Sequence, residues 1–147
     1  MIKHNKMKNI HLLLFTLLTV SCSTAPQPLV VGQDECSYCK MPIAEIKYGS
    51  EIITEKGKVF KYDDVGCMIK FLKNDFHGDA STITMYVALF SADHELKDVN
   101  KLVFLKSAEI HSPMNSGIAA FSSRQDAESL SSKFPGEILT WDQLQKQ

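Results

Sequence analysis

The chain has 147 residues, with 16 basic against 17 acidic side chains and four cysteines. A charge balance this close to neutral excludes the strongly basic surface that holds nucleic acid. The length fits one domain, or two small lobes sharing a core.

Residues 1–9 carry Lys3, Lys6 and Lys8 and no acid, and residues 10–20 are apolar apart from His11 and two threonines. Ser21-Cys22 follows. A basic start, a short apolar run and a small residue before a break form a secretory signal. The run is too short for a membrane-crossing helix, which needs ~20 apolar residues. A small residue before cysteine is similar to the lipobox of bacterial lipoproteins, with Thr19 where Leu is usual. Residues 1–21 are therefore expected to be removed and Cys22 to carry the lipid. An ordinary signal cut near Ala25 is the alternative. Ser23 after the cysteine, in place of Asp, points to outer-membrane sorting in a Gram-negative host. Loss of three lysines leaves 13 basic against 17 acidic residues, a net charge of −4.

Residues 22–35 read as a lipidated tether, with Ser23 to Pro28 extended and unpacked because proline and small polar residues favour that state. Residues 36–147 read as the folded domain. Cys36 to Pro42 is turn-like, since Pro42 disfavours helix in the residue before it. Residues 50–54 alternate and are β-branched, residues 55–58 form a turn, and residues 59–62 resume the strand. Asp63 is placed to cap a helix. Val65, Met68, Ile69 and Leu72 then recur at helical spacing through Lys73. Residues 74–79 are loop and residues 83–90 a buried strand. The order recurs: strand-like residues 101–107, a short apolar strand at 117–121, and a helix over 124–133 capped by Ser122 or Ser123. A strand at 137–140 and a turn at 141–144, with Trp141 in the core, close the chain. The pattern predicts an α+β fold of two pseudo-duplicated ββαβ units packed into one compact domain.

Three sulfurs lie within six residues in Cys36-Ser-Tyr-Cys39-Lys-Met41. Cu(I) is a soft ion that prefers thiolate and thioether ligands. Zinc favours a closed tetrahedron of Cys, His or carboxylate, and no second cysteine pair stands at zinc-ribbon spacing. A distant polar loop, His111-Ser-Pro-Met114-Asn-Ser-Gly117, offers a thioether and an imidazole. The predicted metal ligands are therefore Cys36, Cys39, Met41, Met114 and His111, with Cu(I) as the ion. Cys67 sits among apolar helical residues and reads as a buried structural thiol. His77 and His94 read as solvated loop residues, and Tyr38 as a shield for the site or a packing residue. Asp63 and Asp64 are accounted for as a helix-start cap.

These motifs carry a resemblance. Cys36-x-x-Cys39-x-Met41, Tyr62-Asp-Asp-Val-Gly-Cys-Met68 and Ser112-Pro-Met-Asn-Ser-Gly-Ile-Ala-Ala-Phe121 are similar to those of the NosL family of nitrous oxide reductase accessory lipoproteins. The likeness runs from Cys36 to Leu144, with Asn115-Ser116 where glycine is frequent. It implies a monomeric Cu(I)-binding lipoprotein of duplicated ββαβ fold, anchored in the periplasm. It also implies delivery of copper to nitrous oxide reductase, together with an ABC-type membrane complex, in denitrification. Carried over, it points to Cys36, Cys39, Met41 and Met114.

A metallochaperone of this kind is not an enzyme. The rival is a thiol–disulfide oxidoreductase using Cys36 and Cys39. Such pairs usually sit at a helix N-terminus, and Lys40-Met41-Pro42 gives little support for a helix there. A copper sensor or storage lipoprotein is a further alternative. No phosphate-binding loop or nucleophile elbow is present.

Overall fold

A computed structural model describes residues 24–91 and 93–147. The expected signal peptide, residues 1–21, and Cys22, the residue expected to carry lipid, lie outside the described residues. β-branched and aromatic residues on either side of a tight turn form the first hairpin, β1 (Ser50–Thr54) and β2 (Val59–Tyr62). Gly57 in the turn has φ +78°, a conformation that costs glycine little. Asp64 caps α1 (Val65–Asn74) by accepting from the Gly66 N–H, one residue later than Asp63, the expected cap. The chain returns as β3 (Ile83–Ala88), antiparallel to β1.

The second unit repeats this path as β5 (Val103–Lys106), β6 (Ile118–Phe121), α2 (Arg124–Ser131) and β7 (Glu137–Leu139). Its sheet order, β6-β5-β7, matches the β2-β1-β3 of the first, with the first strand of each unit in the centre. The expected α+β arrangement of two antiparallel ββαβ units is therefore present. Between them runs β4 (Leu96–Asp98), which pairs with β3 and makes the first sheet four-stranded. It is not foreseen in the sequence, because Leu96-Lys-Asp is short and does not alternate. The expected closing turn is a short helix, α3 (Trp141–Gln145), held by a capping box between Thr140 and Gln143.

Alternation along the strands divides the core. Ile52 and Val87 of the first sheet, with Val65, Cys67 and Met68 of α1, meet Phe104, Ile118 and Ala120 of the second sheet and Trp141 of α3. Leu105, Ala119 and Phe121 face the other way and pack on Ala127 of α2. The second sheet is thus apolar on both faces, one toward its own helix and one toward the first unit.

The outer face of the first sheet is polar and is covered differently. Glu51, Lys61 and Tyr86 stand opposite one another across β1, β2 and β3. They hold the N-terminal segment. The Gln27 N–H donates to Glu51 Oε1 (2.9 Å), Tyr86 Oη to the Thr24 carbonyl (2.8 Å) and Lys61 Nζ to the Pro28 carbonyl (2.8 Å). Lys61 also pairs with Asp34 at 2.8 Å, and Leu29 is buried. The expectation of an unpacked tether over Ser23 to Pro28 therefore fails for its described part. Backbone carbonyls and an N–H group, which composition does not reveal, tie the segment to the sheet.

Candidate metal centre

The segment continues into a hairpin-like loop that brings Cys36 and Cys39 to the mouth of α1. Glu35 bridges to Pro42, and Ile43 N–H donates to the Asp34 carbonyl at 2.9 Å. At the tip, the Cys36 N–H donates to the Met41 carbonyl (2.8 Å) and the Lys40 N–H to the Cys36 carbonyl (3.0 Å). Lys40 adopts φ +65° to close this turn. The Ser37 N–H donates to the Lys61 carbonyl at 2.7 Å, fixing the tip to β2.

β2 ends at Tyr62, so Asp63 lies at the strand-to-helix junction and Cys67 falls in the first turn of α1. The sulfurs of Cys36, Cys39 and Cys67 and a carboxylate oxygen of Asp63 lie within 4.8 Å of one another. Ligands on a tetrahedral ion with ~2.3 Å metal–sulfur bonds stand about 3.8 Å apart, so small side-chain adjustments close this set on one ion. Cys36, Cys67 and Asp63 are buried, and Cys39 is half-buried at the open side. All three thiols are free. Cys39 Sγ donates to Asp63, at 3.6 Å to Oδ1 and 3.7 Å to Oδ2.

Such crowding redistributes protons. The hydrogen bond that Cys67 donates holds the Cys36 thiol down, to about 4. Cys67 is pushed up by making that bond and by burial. Burial, then the neighbouring Cys36, pushes Asp63 up to about 6. Burial also raises Cys39. A dense group of anionic ligands sharing protons gains by exchanging them for a cation, which is how metal binding couples to proton release.

The predicted ligands divide. Cys36 and Cys39 are brought together. Met114 packs on the core cluster that contains Cys36 and Cys67. The Met41 carbonyl braces Cys36, but Met41 as a residue is 53% exposed. His111 is exposed and stands outside the cluster. Tyr38 packs on the core, and its hydroxyl accepts from Asn74 Nδ2 at 3.3 Å. His77 is exposed as expected, whereas His94 is half-buried with Nδ1 3.0 Å from the Leu89 carbonyl.

Two readings are corrected. Cys67 is not merely a packing thiol, since its sulfur belongs to the cluster. Asp63 does not cap α1; Asp64 does, which leaves the Asp63 carboxylate among the thiols. An odd thiol beside a Cys-x-x-Cys pair, and a second aspartate where one cap suffices, were the available signals. The absence of a second cysteine pair also loses its force against zinc, because Cys67 and Asp63 complete a four-donor set.

A three-thiol group, two buried and one half-buried, at the strand-to-helix junction of the first ββαβ unit defines a candidate soft-metal-binding α+β domain. The family model for NosL matches residues 29–147, and the chain belongs to the NosL family. It is similar in fold to the crystal structure of the copper chaperone NosL from Shewanella denitrificans. The TM-score is 0.67 and the identity 20%, over 82% of this chain and 95% of that one. No curated protein matches the chain.

Proposed function

We propose that the protein is a Cu(I)-binding metallochaperone. The carrying observation is the juxtaposition of Cys36, Cys39 and Cys67 with only Cys39 toward solvent. Thiolates suit a soft monovalent ion. A half-open side lets an acceptor ligand join the ion before the chaperone lets go, so the metal moves by exchange. NosL membership and the fold of a copper chaperone support this reading. We further propose lipid anchoring through Cys22 in the periplasm, to the outer membrane. As the resemblance implies, the monomer delivers copper for assembly of nitrous oxide reductase with an ABC-type complex.

Anaerobic titration with Cu(I) against a competing chelator tests the binding. One equivalent is expected, and a Cys36→Ser/Cys39→Ser variant should take up almost none. Uptake unchanged in that variant overturns the proposal. One observation favours a second ion at the same cluster: Asp63 supplies a hard oxygen, and three thiolates with a carboxylate also satisfy zinc. Metal analysis after exposure to equal Cu(I) and Zn(II) separates the two. The placement of Cys67 weakens the oxidoreductase alternative, because a third thiol and a carboxylate crowd the Cys36–Cys39 pair.

A further inference from the structure

Asp64 is fully buried, and its carboxylate is divided between two parts of the fold. Oδ1 accepts from the Gly66 N–H at 2.6 Å, capping α1. Oδ2 accepts from the Ser112 hydroxyl at 2.6 Å and from the Met114 N–H at 3.1 Å. Both of these donors belong to the loop between β5 and β6 of the other unit. The Asp64 carbonyl accepts from the Cys67 N–H at 2.9 Å. One residue therefore holds a cluster thiol by its backbone and the Met114 loop by its side chain.

The loop is shaped to be held. Asn115 and Gly117 both have positive φ, +56° and +68°. The Ser112 hydroxyl also accepts from the Gly117 N–H at 3.2 Å and lies 3.3 Å from Ser116 Oγ. Gly66 makes the approach possible, since a Cβ there would stand 2.6 Å from that of Ser116. A capping role alone would use one carboxylate oxygen. In the second unit Ser123 caps α2 with a single hydroxyl, accepting from the Asp126 N–H at 3.1 Å.

We propose that Asp64 is a positioning residue for the metal site, holding Met114 over the thiol cluster so that its thioether completes the soft ligand set. The inference rests on the reading of that cluster as a Cu(I) site. An anion that accepts several hydrogen bonds to fix a ligand-bearing segment is the kind of outer-shell support that metal sites depend on.

The test variant is Asp64→Ser. It installs the cap that the second unit uses, and Ser is as good an N-cap as Asp, but it is too short to reach the loop. In metal-free full-length protein, exchange of the Met114 N–H should speed up at least tenfold while the Cys67 N–H stays protected. In Cu(I) competition, Asp64→Ser and Met114→Ala should each weaken binding about tenfold, and the double variant should be no weaker than either. Ser112→Ala, which removes one donor and leaves the cap, should move both readouts the same way by a smaller factor. It decides the matter if Asp64→Ser does not fold. Unchanged Met114 exchange, or losses that multiply in the double variant, overturn the role of Asp64. Wild-type protein that takes up no Cu(I) overturns the copper reading itself, and the proposed role falls with it.

Discussion

The two ββαβ units share a strand order but differ at the start of their helices. In the first, Asp63, Asp64 and Cys67 are all buried where β2 runs into α1. In the second, Ser122 and Asp126 occupy the positions of Asp63 and Cys67, and both are exposed. The local geometry is similar, with a side-chain cap at each helix. What differs is the cover. The Cys36–Cys39 turn and the Met114 loop close over the first junction, and among the described residues nothing comparable covers Ser122 and Asp126 at the second. Their connections differ as well. The first unit joins its opening strands by a four-residue turn, whereas the second uses the long segment that carries Met114. The repeated strand order gives two equivalent junctions, and only the first is buried under further segments of the chain.

This comparison can be broken most directly at the thiols. Cys67→Ser should weaken Cu(I) binding about as much as Cys36→Ser, by a hundredfold or more, about 2.7 kcal/mol. A Cys67→Ser protein that binds like wild type would return Cys67 to the role of a packing residue. Met114→Ala tests the loop contributed by the second unit. About tenfold weaker binding is expected, roughly 1.4 kcal/mol, because three thiols remain.

The outer sheet faces sharpen the contrast. The second unit covers its outer face with α2, and the first covers its own with the segment beginning at Thr24, held partly by Glu51. Burial raises the Glu51 carboxyl above the ordinary carboxylate range, so between the ordinary and raised values the folded state binds more protons than the unfolded. Stability from this group is full at acid pH and is lost as the pH rises through the raised value. Glu51→Gln should therefore flatten the fall in Tm between acid and neutral pH, and a fall as steep as in wild type would contradict the assignment. At the small end, Asp126→Cys should add one accessible thiol without raising the copper stoichiometry, because the second junction is open to solvent.

Much of the fold was legible because it is written in local pattern. Residues 50–54 and 59–62 carry β-branched and aromatic residues around a Gly-containing turn, and Ser122-Ser123 announces α2. Of the cluster, Cys36 and Cys39 stood out by spacing alone. Cys67 did not, because in sequence it shares the helical spacing of Val65, Met68 and Ile69 and looks like core. Only the path of the chain turns that buried position toward the other two thiols. Asp63 and Asp64 are adjacent and chemically identical, and the turn into α1 gives one to the cap and the other to the cluster. The docking of the segment beginning at Thr24 depends on backbone groups meeting Glu51, Lys61 and Tyr86, and those partners lie 24 or more residues away.

X-ray absorption on the Cu(I)-loaded protein reads the shell around the ion itself. The expected result is a sulfur-dominated shell that loses one sulfur in each of Cys36→Ser, Cys39→Ser and Cys67→Ser. A shell made mainly of nitrogen and oxygen, or one unaltered by these substitutions, would place the metal elsewhere on the molecule.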